Sequence, residues 1–320
     1  MPTTTPKRRA RSADLAKRQA LVLAWFDAQG RALPWRKTRD PYRTMVAEVM
    51  LQQTQTGRVA PAYHVFLQRF PTLQHLAHAP AMDVIQAWRG LGYNRRAVDL
   101  HRTAQAIDRE HGGVFPSTPS ALRRMPGLGE YTAHAIACFA FDTQVPVVDT
   151  NVRRVLARAA LGRDAPEVPA DRIGTLATEW LPDGDAYRWN QALMDVGAML
   201  CRVAKPLCAK CPLRTTCRYR AKGRHRGAPV RADRRQEPFE GSRRQTRGTI
   251  VDHLRRAAQK GVTVGELVRE MHPDGDGDPR TVVKILVKLE VEGLAELTPA
   301  ARGGSARGVV RLPAGKKKHR

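Results

Sequence analysis

Apolar residues recur at spacings of three and four over the first two-thirds of the chain, from about residue 13 to residue 217. Segments such as LAKRQALVLAWFDAQG and RIGTLATEWL show this spacing, which is typical of helices that bury one face. Glycine and proline residues interrupt the pattern at short intervals and predict turns between the helices. The sequence therefore predicts a mainly α-helical domain over residues 13–217.

The carboxyl-terminal part of the chain has a second pattern, which predicts a smaller domain over residues 246–313. Three segments with helical spacing come first, and two strand-like runs, LAELTP and GVVRLP, follow on either side of Gly303 and Gly304. Three helices followed by a β-hairpin are the outline of a winged helix, a relative of the helix-turn-helix. The pattern alone fits an unspecific small α/β domain equally well.

Basic residues are concentrated in three segments outside these two domains. Residues 1–12 are expected to form a disordered basic arm, residues 218–245 an arginine-rich linker, and residues 314–320 a basic tail. The whole chain of 320 residues has a formal net charge of +25. A chain this basic favours a polyanionic partner such as nucleic acid, because binding releases counterions from the phosphates.

No apolar run approaches the roughly 20 residues that a membrane-spanning helix requires. The basic amino terminus is also not followed by the apolar core of a signal peptide. The sequence therefore predicts an intracellular protein without membrane association, and reduced cysteines fit that compartment.

Four of the five cysteines lie close together with the spacing C-x6-C-x2-C-x5-C; they are Cys201, Cys208, Cys211 and Cys217. This spacing allows one short loop to surround a metal centre, and four thiolates are suitable ligands for an iron–sulfur cluster or for zinc. Buried thiols or two disulfides are less favoured, because such a quartet in a chain without a secretory signal is typical of a metal site. The spacing does not distinguish the two metals.

The segment LRRMPGLGEYTAHAIACFAF predicts two helices joined by a tight turn at residues 126–129. Gly127 and Gly129 allow crowded or left-handed backbone, and the N–H groups at the start of the second helix favour an anion. A helix-hairpin-helix of this kind suits a DNA phosphate, although an ordinary turn is the better explanation of the glycines alone. We also expect Arg153 and Arg154, in the later VVDTNVRRV segment, to reach backbone phosphates.

Considered as a set, these motifs resemble a known family. Residues 18–219 are similar to the helix-hairpin-helix DNA glycosylases that carry a carboxyl-terminal [4Fe–4S] loop, and above all to the adenine DNA glycosylases of the MutY type. The matching motifs are LPW (33–35), AEVMLQQTQ (47–55), GLGY (90–93), PGLGEYTA (126–133), VVDTNVRRVLAR (147–158) and WNQALMDVGAMLC (189–201). The resemblance implies a base excision repair enzyme that removes adenine mispaired with 8-oxoguanine or guanine from double-stranded DNA and leaves an abasic site. It also implies that the four cysteines hold a [4Fe–4S] cluster.

Two carboxyl groups suit the cleavage of a glycosidic bond, since one protonates the leaving base and the other stabilises the sugar cation. Glu48 has apolar neighbours on its predicted helix, so we expect it to keep its proton to a higher pH than an exposed glutamate. A partly exposed Glu48 paired with a basic residue is equally compatible with the sequence. Asp149 precedes a helix, where aspartate is most often an N-cap. The resemblance implies that Glu48 protonates the adenine ring and that Asp149 stabilises the oxocarbenium ion.

Tyr131 occupies the position at which bifunctional relatives of the endonuclease III type have a lysine. That lysine forms a Schiff base and then cuts the strand, which a tyrosine hydroxyl cannot do. The resemblance therefore implies a monofunctional glycosylase, while a core aromatic is the alternative role for Tyr131. It also implies DNA contacts by a set of other residues, namely Arg36, Gln52, Gln53, Tyr93, Gly127, Gly129 and Asn151.

The predicted carboxyl-terminal domain departs from the family pattern. Residues 246–313 are too short and too helical for the Nudix-like domain with which many adenine glycosylases recognise 8-oxoguanine. They resemble instead the winged-helix-like extension of some actinobacterial relatives, so the preference between 8-oxoguanine and guanine stays open. The resemblance also implies a monomer in the bacterial cytoplasm, associated with the nucleoid.

Two other functions are compatible with the sequence. A thymine or uracil mismatch glycosylase of the same fold shares the tyrosine and aspartate positions, although the EVMLQQTQ segment favours the adenine branch. A non-enzymatic iron–sulfur DNA-binding regulator would use the winged domain, but it would require neither Glu48 nor Asp149.

Overall fold

The computed structural model describes residues 6–226, 238–257, 259–272 and 278–314. Within these ranges, the helices of the first half are α1 (Pro6–Gln29), α2 (Pro41–Leu51), α3 (Thr56–Arg69), α4 (Leu73–His78), α5 (Ala81–Ala87), α6 (Arg95–His111), α7 (Pro119–Leu122), α8 (Glu130–Phe141) and α9 (Thr150–Leu156). The later helices are α10 (Ala170–Trp180), α11 (Ala186–Asp195), α12 (Arg218–Ala221), α13 (Arg243–Ala257), α14 (Val264–Met271), α15 (Pro279–Val291) and α16 (Pro299–Arg302). The strands are β1 (Val262–Thr263), β2 (Glu296–Leu297) and β3 (Val309–Arg311).

The chain folds into two compact units. The first unit contains the described residues of Met1–Thr44, Ser117–Arg123 and Gly129–Arg235. Its main core is formed by α9, α10 and α11, and it includes the fully buried side chains of Leu156, Ile173 and Trp189. Three of the four clustered cysteines, Cys201, Cys211 and Cys217, pack against this core, which anchors the loop that carries them.

A buried ion pair fixes the segment after α1 to α11 within the first unit. The carboxylate of Asp195 is fully buried and accepts hydrogen bonds from Nη1 and Nη2 of Arg36 at 2.8 and 2.9 Å. Arg31 also donates to it, from its backbone N–H at 2.8 Å and from Nε at 2.7 Å. Burial alone would raise the pKa of Asp195, but the hydrogen bonds and charge of Arg36 and Arg31 lower it. The guanidinium of Arg36, a predicted DNA contact, therefore forms an ion pair inside the protein.

The second unit contains the described residues of Met45–Pro116, Arg124–Leu128 and Gln236–Arg320. It combines the helices α3 to α6 with the whole carboxyl-terminal part of the described chain. Ile85 and Val98, from α5 and α6, share one hydrophobic core with Ile250, Leu286 and Val310 from the carboxyl-terminal part. The predicted winged domain therefore packs on the preceding helices instead of forming a separate core.

The carboxyl-terminal part has the predicted winged-helix outline. The three expected helices are α13, α14 and α15, and the two expected strands are β2 and β3. In addition, the two-residue strand β1 pairs with β3 in antiparallel orientation, with Val262 opposite Val310, and the strand order is β1-β3-β2. The sequence pattern does not predict β1, because two residues are too few to show the alternation of a strand.

The boundaries of the flanking segments differ from those expected. The helix α1 begins at Pro6, inside the expected basic arm, because alanine, arginine and lysine favour a helix and proline suits its first position. The helix α12 and a 3-10 turn at Arg224–Arg226 lie inside the expected linker, where Tyr219 is buried. Residues 1–5, 227–237 and 315–320 of these segments lie outside the described residues. In the described parts of the chain, no helix is both long and apolar enough to cross a membrane.

Candidate active site and DNA-binding residues

Glu48 lies on α2 among side chains that are almost completely withdrawn from solvent. Its relative exposure is 4%, and those of Met45, Val49 and Met50 are 0%, 4% and 0%. The expectation of a buried glutamate is therefore confirmed, and the alternative of a partly exposed one is wrong. A carboxyl group in this position is accessible to another molecule only if that molecule enters the protein.

Two strained turns follow Glu48 in the second unit. Gln52 and Gln53 form a turn directly after α2, and Tyr93 ends the loop that begins at Gly90. Gln53 and Tyr93 have positive φ angles of 55° and 45°, which cost free energy in residues other than glycine. Tyr93 is also 42% exposed. Backbone strain in exposed polar residues is typical of binding sites, where the structure holds a side chain in place for a ligand.

Arg96 joins these two turns, and it is 8% exposed. Its Nη1 donates to the carbonyl oxygens of Val49 and Gln52 at 2.8 and 2.7 Å. Its Nη2 donates to those of Leu91 and Gly92 at 3.1 and 3.0 Å. Burial lowers the pKa of Arg96 to about 10, so the guanidinium remains charged at neutral pH. The positions of Gln52 and Tyr93 are thus coupled through one side chain.

Arg96 lies in none of the sequence motifs, but its position along α6 predicts that it is buried. On α6 it shares the helical spacing of Leu100, Thr103 and Ile107, all of which are buried. An arginine in register with a buried helix face must satisfy its donors inside the protein, which indicates a structural clamp.

The turn between α7 and α8 has the predicted hairpin form. Gly127 has a φ angle of +80°, and a Cβ atom there would lie 2.7 Å from Cβ of Asp99, so a larger residue does not fit. Gly129 is the N-cap of α8 and has open space around its Cα. Both glycines are exposed, so the N–H groups at this helix start are accessible to a phosphate.

Asp149 is the N-cap of α9 in the first unit, as its position in the sequence predicts. Its Oδ1 accepts a hydrogen bond from the backbone N–H of Val152 at 2.7 Å, and its Oδ2 accepts one from Nδ2 of Asn151 at 2.8 Å. Burial raises the pKa of Asp149, and these two hydrogen bonds partly oppose that rise. The carboxylate is therefore held in a fixed orientation.

A chain of hydrogen bonds connects Asp149 with the cysteine loop. Arg154 donates from Nη2 to Oδ1 of Asn151 at 2.8 Å and to the carbonyl oxygen of Gly197 at 2.7 Å. Its Nε donates to the carbonyl oxygen of Cys201 at 2.6 Å. A Cβ atom at Gly197 would lie 2.6 Å from Cβ of Asn151, so the two segments are in close contact.

Arg153 and Arg154 both make hydrogen bonds inside the protein, and the expectation that they reach phosphates stays a prediction. Arg153 donates from Nη2 to the carbonyl oxygen of Val168 at 2.5 Å. Both side chains are partly buried, and each donates to carbonyl groups of a neighbouring segment.

Tyr131 lies in the first turn of α8 and is half-buried. It packs against a small core cluster that includes Ala135, Cys138 and Phe139. Its ring therefore has the structural role that the sequence left as an alternative, and its partial exposure is compatible with a substrate contact as well.

The four clustered cysteines are free thiols that line one cavity together with Arg158. Arg158 is 3% exposed and its Nη1 lies 3.8 Å from Sγ of Cys201. Burial raises the pKa of the Cys211 thiol to about 12, so a bound metal would have to displace protons from the thiols.

The number and kind of ligands bear on the group that fits this cavity. Four thiolates are the ligand set of a [4Fe–4S] cluster and also of a structural zinc ion. The guanidinium of Arg158 beside Cys201 suits the negative charge of such a group. The residues therefore fit a [4Fe–4S] cluster by their chemistry. In the part of the chain that the structure describes, no three His, Cys, Asp or Glu side chains are close enough to hold one metal ion.

The predicted site residues are divided between the two units. The second unit contains Glu48, Gln52, Gln53, Tyr93 and Gly127, and the first contains Arg36, Gly129, Tyr131, Asp149, Asn151, Cys201, Cys208, Cys211 and Cys217. Within the units, the structure brings Asp149 together with Asn151 and couples Gln52 to Tyr93.

Comparison with known proteins identifies related DNA repair enzymes. The profile of the HhH-GPD superfamily of base excision DNA repair proteins matches residues 46–176. The adenine DNA glycosylase of Mycobacterium tuberculosis is 44% identical over 253 residues, which cover 77% of this chain and 81% of the relative. That of Mycolicibacterium smegmatis is 39% identical over 283 residues, which cover 88% and 93%.

A solved structure is also similar. A thermostable thymine-DNA glycosylase matches with a TM-score of 0.63 and 29% identity, covering 67% of this chain and 99% of its own. The identity to the mycobacterial enzymes is higher and extends over more of the chain. This chain therefore belongs to the adenine DNA glycosylases of the HhH-GPD superfamily, which act in base excision repair.

Proposed function

We propose that the protein hydrolyses the N-glycosidic bond of adenine mispaired with 8-oxoguanine or guanine in double-stranded DNA, releasing adenine and leaving an abasic site. The observation that carries the proposal is a buried carboxyl group on α2 together with an oriented carboxylate at the start of α9. Glu48 is 4% exposed, and Asp149 accepts two hydrogen bonds on its carboxylate. Such a pair suits an acid and an anion that act in one reaction.

Glu48 is the proton donor. A carboxyl group with 4% exposure is accessible to adenine only after the base has left the stack and entered the protein. The proton passes from Glu48 to the adenine ring, and the electrons of the breaking bond between nitrogen and the sugar carbon go to the purine.

Asp149 stabilises the positive charge that bond cleavage leaves on the sugar. Its carboxylate is already oriented by Val152 and Asn151, so little reorganisation is needed as the charge develops. Water then adds to the anomeric carbon and gives up a proton to the carboxylate left on Glu48, which completes the abasic sugar and restores the acid.

Tyr131 makes the enzyme monofunctional. Cleavage of the strand would require an amine that attacks the sugar carbon to form a Schiff base, and a phenol cannot form one. The reaction therefore ends at the abasic site with both strands intact.

The cysteine loop holds a [4Fe–4S] cluster. When bound, the cluster acts as a rigid cross-link that keeps the loop folded. The loop presents four exposed cations to the DNA backbone: Lys205, Lys210, Arg214 and Arg218. The net charge of +25 supports association with DNA along its length, and hence with the nucleoid, by a monomeric protein.

A second candidate substrate is mismatched thymine or uracil. The similarity to a thymine-DNA glycosylase favours it, since that enzyme has 29% identity to this chain. The two substrates differ in the base that has to be released, so one panel of duplexes separates them.

The purified protein should release adenine from duplexes with A opposite 8-oxoguanine or guanine, and it should leave T:G and U:G duplexes intact. Labelled strands should break only after treatment with alkali, because the enzyme leaves an intact abasic strand. Excision of thymine or uracil without adenine would support the second candidate. Strand breakage without alkali would refute the role of Tyr131.

Glu48→Gln should lower the single-turnover rate of adenine excision by about 10²–10⁴-fold, the usual contribution of a general acid. Asp149→Asn should lower it by about 10²–10³-fold, because the stabilising charge is lost. The exposed controls Glu110→Gln and Asp171→Asn should leave the rate unchanged. A near-normal rate in either site variant would remove that residue from the mechanism.

The pH dependence provides a second readout for Asp149. Burial raises its pKa, so the carboxylate becomes protonated at a pH above the ordinary value of about 3.9, and the rate should fall as the pH falls through that range. Asn151→Ala removes a hydrogen bond that lowers the pKa. The acidic limb of the rate profile should therefore move to higher pH, and a shift to lower pH would contradict the assignment.

The purified protein should contain about four iron and four acid-labile sulfide per chain, as the formula of the cluster requires. Cys211→Ala should lose iron, because one of four ligands is removed. Cys138→Ala is the matched control, since Cys138 lies in the core outside the quartet and should not affect iron content. Stoichiometric zinc without sulfide would overturn the identification.

A further inference from the structure

One side of the helix α15 in the second unit carries basic and apolar residues that face the solvent. The opposite side is buried in the hydrophobic core, with Val282, Leu286 and Leu289. At 3.6 residues per turn, five of the exposed residues fall within an arc of about 100° around the helix. We call this stripe the α15 face, and its members are Arg280, Lys284, Val287, Lys288 and Val291.

The three cations of the α15 face are available to an external partner. Among the described residues, no carboxylate forms an ion pair with any of them. The acidic residues of the same helix are already occupied, since Glu290 binds Arg302 and Glu292 binds Arg247. Asp278 is the N-cap of α15, and its Oδ1 accepts a hydrogen bond from a backbone N–H of the helix at 3.0 Å. The α15 face therefore presents three positive charges and contains no negative one.

A wing is fixed beside α15. It consists of residues 303–308, which connect α16 with β3. Arg302, directly before it, donates from Nε and Nη2 to the two carboxylate oxygens of Glu290 on α15, both at 2.8 Å. Within the wing, the carbonyl oxygen of Ala306 accepts a hydrogen bond from the backbone N–H of Gly265 on α14 at 2.9 Å. The wing is therefore anchored to both helices and keeps a defined position relative to the α15 face.

The wing carries one more cation. Arg307 is exposed, and in the described parts of the chain it forms no ion pair. The carbonyl oxygen of the next residue, Gly308, accepts a hydrogen bond from the backbone N–H of Val264 at 2.9 Å. A Cβ atom at Gly308 would clash with the backbone of Ala301, so the chain beside Arg307 is closely packed. The wing thus offers a fourth positive charge on a rigid backbone.

The spacing of the cations fits the major groove of double-stranded DNA. Arg280 and Lys288 are eight residues apart in the sequence. This separation corresponds to about 12 Å along the helix axis at 1.5 Å per residue. The major groove is about 12 Å wide and admits an α-helix. The cations of an α15 face placed in this groove therefore lie within reach of the phosphates that border it, and Arg307 in the wing can reach a further phosphate.

The two valines of the α15 face also suit the major groove. Val287 and Val291 are 38% and 78% exposed. Valine has a lower helix propensity than alanine or lysine, so a face that meets only water gains nothing from it. In the major groove, apolar side chains contact the methyl group of thymine. An acidic protein surface would also attract the cations, but DNA offers a continuous row of phosphates to the helix and the wing together.

We propose that the α15 face and Arg307 bind the phosphates of double-stranded DNA independently of a mispair. None of these residues lines the cavity of about 770 Å³ that contains Gln52 and Tyr93. The surface is therefore separate from the contacts that the sequence predicts around the mispair. It goes beyond the proposed function, because it holds the protein on undamaged duplex, along which the protein can slide to a mispair.

The test measures binding of an undamaged duplex by fluorescence anisotropy over a range of salt concentrations. Each phosphate contact contributes about 0.9 to the slope of log K against log salt for B-DNA. The double variant Lys284→Ala, Lys288→Ala should therefore reduce the magnitude of the slope by about two, and Arg307→Ala should reduce it by about one. The double variant Lys260→Ala, Arg269→Ala is the matched control, since it removes two exposed cations of the same unit outside the α15 face and the wing. It should retain the wild-type slope.

Each outcome bears on the surface itself. A wild-type slope in either the α15 or the wing variant would overturn the proposal and leave the α15 face to an acidic protein partner. An equal decrease in the control would overturn it as well, because the slope would then depend on total charge and not on this surface. All the replaced side chains are exposed, so the variants should fold. The duplex contains no mispair, so a failure of the proposed adenine excision would not affect this measurement.

Discussion

The hydrogen bonds of Arg154 are the constraint on which the site in the first unit depends. Asp149 is oriented by Asn151, and Asn151 is held by the same guanidinium that binds the carbonyl oxygens of Gly197 and Cys201. The conformation of the cysteine loop therefore affects the orientation of the Asp149 carboxylate, which lies more than 40 residues away in sequence. Under the proposed function, a metal cluster that stabilises this loop would contribute to catalysis without touching the substrate.

In the second unit, buried arginines also join separate backbone segments. Arg96 donates hydrogen bonds to carbonyl groups of two strained turns, and Arg255 on α13 donates to Ile85 of α5 and to Asn94. A guanidinium has five donors in a rigid plane, so one buried arginine can fix several backbone segments at once. The strongly basic composition thus serves two purposes, since some arginines support the loops from inside and others face the solvent, where their charge is available to a polyanion.

The sequence pattern predicts the parts of this structure that depend on residues close to one another in the sequence. Helical spacing predicts the helical domain and the winged outline, apolar neighbours predict the burial of Glu48, and the position before a helix predicts the N-cap at Asp149. Helical spacing predicts that Arg96 is buried, but the bonds of Arg96 to Val49 and of Arg154 to the cysteine loop do not follow from the sequence, because these partners lie more than 40 residues away. The roles of the site residues came from the family resemblance, since a spacing of residues does not specify the reaction of a carboxyl group.

The single-turnover rate of adenine excision by Arg154→Leu protein, measured together with its iron content, tests the account most directly. The account predicts that iron is retained and that the rate falls about 10- to 100-fold, because hydrogen bonds to a charged group contribute about 1.5–3 kcal/mol. An unchanged rate with iron retained would contradict it. A rate that falls only in proportion to lost iron would contradict it as well, since the arginine would then act through the cluster alone.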